Sequence, residues 1–175
     1  MSNTKASDSS DVEIPNTHVA EAAHQFRAVS ELLFRQLPQH DCVLPLLMVA
    51  GFAIELSLKS LNSRNVYHDL LTELGIAGYR VTAQPIQKGH SLVQLFDALE
   101  ERIQRELQEA YVSRSRFRGK PLIRDELVIY DTVFVNSRYP FGAHSPLGDG
   151  SINGLVDLVC IIDDHIQRLK GRIVC

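Results

Sequence analysis

Apolar side chains return at steps of three and four along segment after segment of this chain, and that spacing limits what it can fold into. The clearest run is Leu92, Leu95, Phe96, Leu99, Ile103 and Leu107. On a helix these residues form one stripe; on a strand they would scatter over both faces. Similar stripes run through Val19, Ala22, Phe26, Val29, Leu33 and Leu37, through Ile123, Leu127, Tyr130 and Phe134, and through Leu155, Leu158, Val159, Ile162, Ile166 and Leu169. The segment from about Pro45 to Leu61 is apolar nearly all round, as expected of a central helix with neighbours on several sides. No alternating run is long enough to build a sheet. The expectation is an all-α fold of five helices.

Punctuation fits this division. Asn16 or Thr17 can cap the first helix and Pro38 ends it. Ser91 and Gln94 make a capping box in front of a single long third helix. Pro121 suits the first turn of a fourth helix, expected to run on through Phe134. RYPFGAHSPLGDG then breaks regular structure before a last helix from about Ser151 to Lys170. Residues 64–90 make a long connection between helices 2 and 3, in which DLLTELG reads as a short helix and GYRVTAQPIQKG as extended chain. Residues 1–16, rich in Ser, Asp and Asn, read as a flexible tail, leaving 17–172 as one helical domain.

With 175 residues and 45% hydrophobic content, the chain can bury a core without metal or disulfide. A net charge of −3 argues against a generally cationic nucleic-acid coat but leaves room for a local basic patch. Cys42, Cys160 and Cys175 are odd in number and show no recurring spacing, which fits a reducing cytoplasm. The run Val43–Leu58 is interrupted by Pro45, Gly51 and Glu55, and the expectation is that it does not span a membrane. No metal-ligand set, phosphate loop or nucleophile motif occurs, and no cofactor is expected. Asp163, Asp164 and His165 are adjacent but point in different directions on a helix, and the histidines at 18, 24, 40, 68 and 165 make no set.

Four features carry chemistry. Glu55 stands among apolar residues with Lys59 one turn on, so its carboxylate needs a partner. A buried ion pair and a role in a site both account for it. His90, directly before the third helix, can cap that helix or aim a ring nitrogen across the fold. Arg138 and His144 lie in one turn-rich stretch; Arg offers a planar fork for phosphate and His exchanges a proton near neutral pH. Arg114, Arg116, Arg118 and Lys120, with Arg124 beyond and Phe117 among them, suit either a solvated basic loop or a nucleic-acid contact.

FAIELSLKSLN, then GHSLVQLFDALEERI, then FVNSRYPFG before the final helix resemble, in that order, the HEPN superfamily (higher eukaryotes and prokaryotes nucleotide-binding domains). The resemblance covers roughly residues 18–170. It implies an antiparallel four- or five-helix bundle, often a symmetric homodimer. In active members an Arg-x(4–6)-His motif cleaves RNA without metal, and Arg138 and His144 match its spacing. Tyr139 and Pro140, after the Arg, depart from the active pattern and look more like members without demonstrated chemistry, in which Arg138 would turn inward to Glu55, Lys59 and His90. Three functions follow as expectations: a nucleotide- or nucleic-acid-associated binding module in stress or defence, a toxin-like endoribonuclease paired with a partner protein such as an antitoxin, or a protein-interaction scaffold.

Overall fold

The computed structural model describes residues 15–69, 79–114, 122–138, 147 and 149–173. The fold is mostly helical. Its helices are α1 (Thr17–Gln36), α2 (Val43–Ser60), α3 (Leu92–Asp97), α4 (Glu101–Arg114), α5 (Ile123–Tyr130), α6 (Val133–Arg138) and α7 (Ile152–Ile173). Strands β1 (Ser63–Asp69) and β2 (Tyr79–Pro85) pair antiparallel between α2 and α3, from Ser63 opposite Pro85 to Asp69 opposite Tyr79. This hairpin corrects the expectation that no sheet forms. Its strands are short, and their β-branched and aromatic residues (Val66, Tyr67, Val81, Thr82) are interrupted by polar ones, so the alternation is weak in sequence. The short helix expected at 69–75 falls mostly outside the described residues.

α2 is the centre of the molecule. It packs against α1, α3, α6 and α7, which is why ten of its residues, from Leu46 to Ser60, are buried. By length and hydropathy (mean 1.6 over Val43–Ser60) this helix would also pass for a membrane span, and Pro45, Gly51 and Glu55 do not interrupt it. In this fold its apolar surface faces protein on several sides.

The stripes of the later helices lie in the core as their spacing requires: Leu92, Leu95, Phe96, Leu99, Ile103 and Leu107 are buried, as are Ile123, Leu127, Tyr130, Leu155, Leu158, Ile162 and Ile166. Two long helices are each broken once, correcting the expectation of continuous rods. The third divides at Ala98–Glu100, where the Gln104 side chain donates to the Leu99 carbonyl at 2.9 Å, satisfying an acceptor that helix would otherwise use. The fourth divides at Asp131–Thr132. There the Asp131 carboxylate accepts from Ser91 Oγ and from the Val93 amide, both at 2.9 Å, so it lies at the positive N-terminus of α3. Ser91 Oγ caps that same helix by accepting from the Gln94 amide.

α1 differs most from its sequence reading. Its buried residues are Ala20, Ala23 and Ser30, whereas Val29 is 43% exposed. Small side chains let α1 lie close to its neighbours; of the bulkier stripe, Phe26 still meets α2, edge-on against Phe52, while Val29 turns outward. Asn16 fixes the start of α1: its side chain accepts from Val19 N and donates to Asn65 of β1, and its backbone N–H donates to the Ser60 carbonyl.

Candidate functional site

The flank of α1, the middle of α2 and the end of α6 border a half-open cavity of about 380 Å³ lined by Phe26, Met48, Val49, Phe52, His90, Phe134 and Arg138. Gly51 makes this arrangement possible. A Cβ at that position would stand 2.7 Å from Val133 Cγ1 and 3.0 Å from the Phe134 backbone nitrogen. Glycine therefore lets α6 come down onto α2 and sets Phe134 on the cavity wall. The Phe134 and Phe52 rings stack with centroids 5.0 Å apart, and Phe26 meets Phe52 edge-on at 4.8 Å.

Two polar side chains stand on this apolar wall. The Arg138 guanidinium lies over Phe134, 5.3 Å from the ring centroid, a cation–π placement. The His90 ring centre is 5.8 Å from that of Phe134. His90 follows Gly89, whose φ of 107° is open to glycine at no steric cost. That turn delivers the imidazole to Glu55.

Glu55 is 1% exposed. Its carboxylate takes Lys59 Nζ at 2.6 Å and His90 Nδ1 at 3.0 Å to each oxygen. The ammonium balances the buried charge, and the imidazole satisfies remaining acceptor capacity. A carboxylate only accepts, so Nδ1 carries a proton, and Nε2 is the ring's outer nitrogen on a side chain that is 53% exposed. Glu55, Lys59 and His90 are thus brought together. The sequence reading carries Arg138 onto Glu55 as well; the structure instead puts its guanidinium over Phe134, on the cavity wall it shares with His90. His144, Tyr139 and Pro140 lie outside the described residues.

Of the basic stretch, Arg114 pairs with Asp164, and Arg124 donates to the two oxygens of Asp97 from Nε and Nη2, each at 2.8 Å. The Arg124 hydrogen bonds hold the Asp97 carboxyl below its ordinary range. Arg116, Phe117, Arg118 and Lys120 lie outside the described residues.

A second polar cluster was not legible in sequence. Asp163 is fully buried and accepts at Oδ2 from Arg27 at 2.7 Å and from His24 Nδ1 at 2.8 Å, with Gln167 on its other oxygen. Arg27 also donates to Asp164 and, through Nε, to Glu31. Burial opposes the Arg27 charge, but Asp163 and Glu31 prevail and raise its pKa further. Cys160 donates to Glu31 at 3.3 Å, and burial followed by that carboxylate pushes its thiol up to about 11. His24 is therefore not an isolated histidine. The only local trace is helical spacing of His24, Arg27 and Glu31 on one flank of α1; their partners lie more than 100 residues away. Of the adjacent Asp163, Asp164 and His165, the two carboxylates meet on Arg27, against the expectation that all three diverge, and only His165 turns away, towards Glu106 of α4 at 3.5 Å. Among the described residues no group of three or more His, Cys, Asp or Glu is placed to hold a metal ion. Comparison with known proteins finds no family model, no curated protein and no solved structure that matches this chain.

Proposed function

We propose that the chain is a HEPN-like helical bundle acting as a binding module for a nucleotide or nucleic acid, whose phosphate is held at Arg138 and His90. The observation that carries this reading is the pairing of a permanent cation with a carboxylate-held imidazole on one cavity wall. Arginine presents a fork of donors that matches phosphate, and its stacking on Phe134 fixes that fork in place. The buried Glu55 presets the orientation of His90 before a ligand arrives, which lowers the entropy lost on binding. The order of the ExxxK, GHxL and RYP segments supports the HEPN-like assignment. Val29, Leu32, Leu44 and Met48 are exposed apolar residues near one end of the α1–α2 pair, and they suit the homodimer contact this reading includes.

Titration of single-stranded RNA and of AMP against wild type and Arg138→Ala, at stated salt, tests the reading. Arg138→Ala should weaken binding at least tenfold while leaving the circular dichroism spectrum unchanged. Equal affinity in the two proteins would remove Arg138 from the site.

A second reading, metal-independent RNA cleavage, draws on the same His90 geometry. An imidazole held at Nδ1 by a buried carboxylate, with Nε2 outward, is oriented as a general base, and Arg138 would neutralise the phosphate. In this reading His90 is a candidate for proton transfer in addition to His144.

A further inference from the structure

A second half-open cavity, of about 430 Å³, lies between α4 and α7, and its lining differs in kind from the aromatic one. α4 supplies Glu106, Glu109 and Ala110; α7 supplies His165, Arg168 and Leu169. Steps of three and four put each set on one face of its helix, so the cavity has an α4 wall and an α7 wall.

The α4 wall is negative. Glu106 is held in place: its Oε1 accepts from Arg102 at 2.8 Å, and its buried Oε2 stands 3.5 Å from Nε2 of His165. Glu109, three residues on and exposed, sets a second carboxylate beside the first, and like charges at this spacing repel. The α7 wall carries a guanidinium. Arg168 donates from Nε to the Asp164 carbonyl at 3.3 Å, which leaves its two terminal amino groups as further donors. Among the described residues, neither Glu109 nor Arg168 is in an ion pair. Opposite charges therefore line one cavity without closing it.

That arrangement selects a ligand by charge. A phosphate would meet two carboxylates, and a plain amine would meet the guanidinium. A divalent metal lacks ligands, because among the described residues no three His, Cys, Asp or Glu groups are placed to hold one. A molecule with an ammonium and a carboxylate on one frame satisfies both walls at once. Its ammonium donates to Glu109, and its carboxylate accepts the planar fork of Arg168. Ala110 and Leu169 add an apolar strip for a side chain, and the volume admits one such molecule.

We infer that this cavity is a binding site for a free α-amino acid with an apolar side chain, its ammonium on Glu109 beside Glu106 and its carboxylate on Arg168. None of these residues belongs to the site of the proposed function, so either reading stands without the other.

L-leucine is the probe, titrated by calorimetry against the full chain and followed through the His165 ring protons. Isopentylamine and 4-methylpentanoate have the same body and lack one charge or the other. Leucine should bind and shift the His165 signals, and each comparison compound should bind at least tenfold more weakly. Glu109→Gln should weaken leucine about tenfold and leave 4-methylpentanoate no weaker. Arg168→Gln should weaken leucine about tenfold and leave isopentylamine no weaker. Both positions are exposed, so circular dichroism of the variants should match wild type. Leucine that fails to bind at millimolar concentration would overturn the inference. So would isopentylamine or 4-methylpentanoate binding as tightly as leucine, or either variant binding leucine like wild type. If leucine fails to bind a protein that still binds RNA, this cavity assignment falls and the proposed function stands; if leucine binds and RNA does not, the reverse holds.

Discussion

Two buried carboxylates in this protein do the same local chemistry in different surroundings. Glu55 and Asp163 are each almost completely inaccessible, each accepts from Nδ1 of a part-exposed histidine, and each is balanced by a cation. They differ in what else they join. The Glu55 cation is Lys59, on the same helix, and His90 turns to a cavity shared with Arg138. Asp163 is reached from a different helix by Arg27, which also grips Asp164 and Glu31, while Arg114 brings in the end of α4. His24 and Asp163 line neither the aromatic cavity nor the polar one between α4 and α7. The Asp163 cluster fastens three helices together. The Glu55 cluster positions a ring at the edge of a space a ligand can enter. The rings of His24 and His90 are similarly exposed, 44% and 53%, so what separates the two pairs is the cavity beside His90 and not exposure.

The sharpest way to break the comparison is to delete each carboxylate. Asp163→Ala leaves Arg27, about one-fifth exposed, with a buried charge and a missing partner. Arg27 keeps Glu31 and Asp164, so the cost is that of the charge-assisted hydrogen bonds lost from Arg27 and His24, about 3 kcal/mol together, and the urea midpoint should fall steeply. A variant that melts like wild type would deny the cluster its fastening role.

Glu55→Ala should cost less, about 2 kcal/mol, the scale of hydrogen bonds to a charged group. Lys59 is as sheltered as Arg27, 16% against 19% exposed, but its ammonium ends a flexible stem that can swing to water once the carboxylate is gone, and His90 is half-exposed. Its larger effect should fall on ligand affinity, since His90 loses the anchor for Nδ1. If Glu55→Ala lowered stability as much as Asp163→Ala and left RNA binding intact, the division of roles between the clusters would be wrong.

The same contrast explains how much was legible in the sequence. Glu55 and Lys59 stand four residues apart on one helix, so their meeting is written in a local period. His90 was visible as the residue between a turn glycine and a helix cap. Its docking on Glu55 needs only that α3 pack on α2, which both apolar stripes require. The Asp163 cluster has no such local rule. His24 and Asp163 meet because α1 packs on α7 as well as on α2, with Ala20, Ala23 and Ser30 as its buried residues. An apolar-stripe reading centres the buried face on Phe26 and Val29; Phe26 does reach Phe52 of α2, but Val29 is exposed, and the charged flank goes unnoticed in that reading. The breaks at Ala98–Glu100 and Asp131–Thr132 were invisible for a related reason. They keep the apolar stripes aligned across the interruption, so periodicity continues where the hydrogen-bond ladder does not.

The smallest expected effect concerns acid. Burial raises the tendency of Asp164 to hold its proton, but hydrogen bonds from Arg114 and Arg27 outweigh it and the pKa ends below the ordinary 3.8. Glu31 likewise ends below 4.5: burial opposes, and Cys160 and Arg27 prevail. A carboxyl whose pKa is lower folded than unfolded binds fewer protons in the native state over that interval. Its stabilisation is complete above the unfolded value and disappears as pH falls through the folded one. Urea midpoints should therefore hold from pH 7 to about 5 and decline below about pH 4.5, within the range where these two groups differ. Both groups belong to the Arg27 side of the molecule, so Arg114→Ala should soften the decline by returning Asp164 towards its ordinary value. Both carboxyls are also partly exposed and screened, which keeps the change small beside that of Asp163→Ala. An acid limb equally steep in Arg114→Ala and wild type would show that Asp164 does not contribute to it, and would confine the fastening to Arg27, His24 and Asp163.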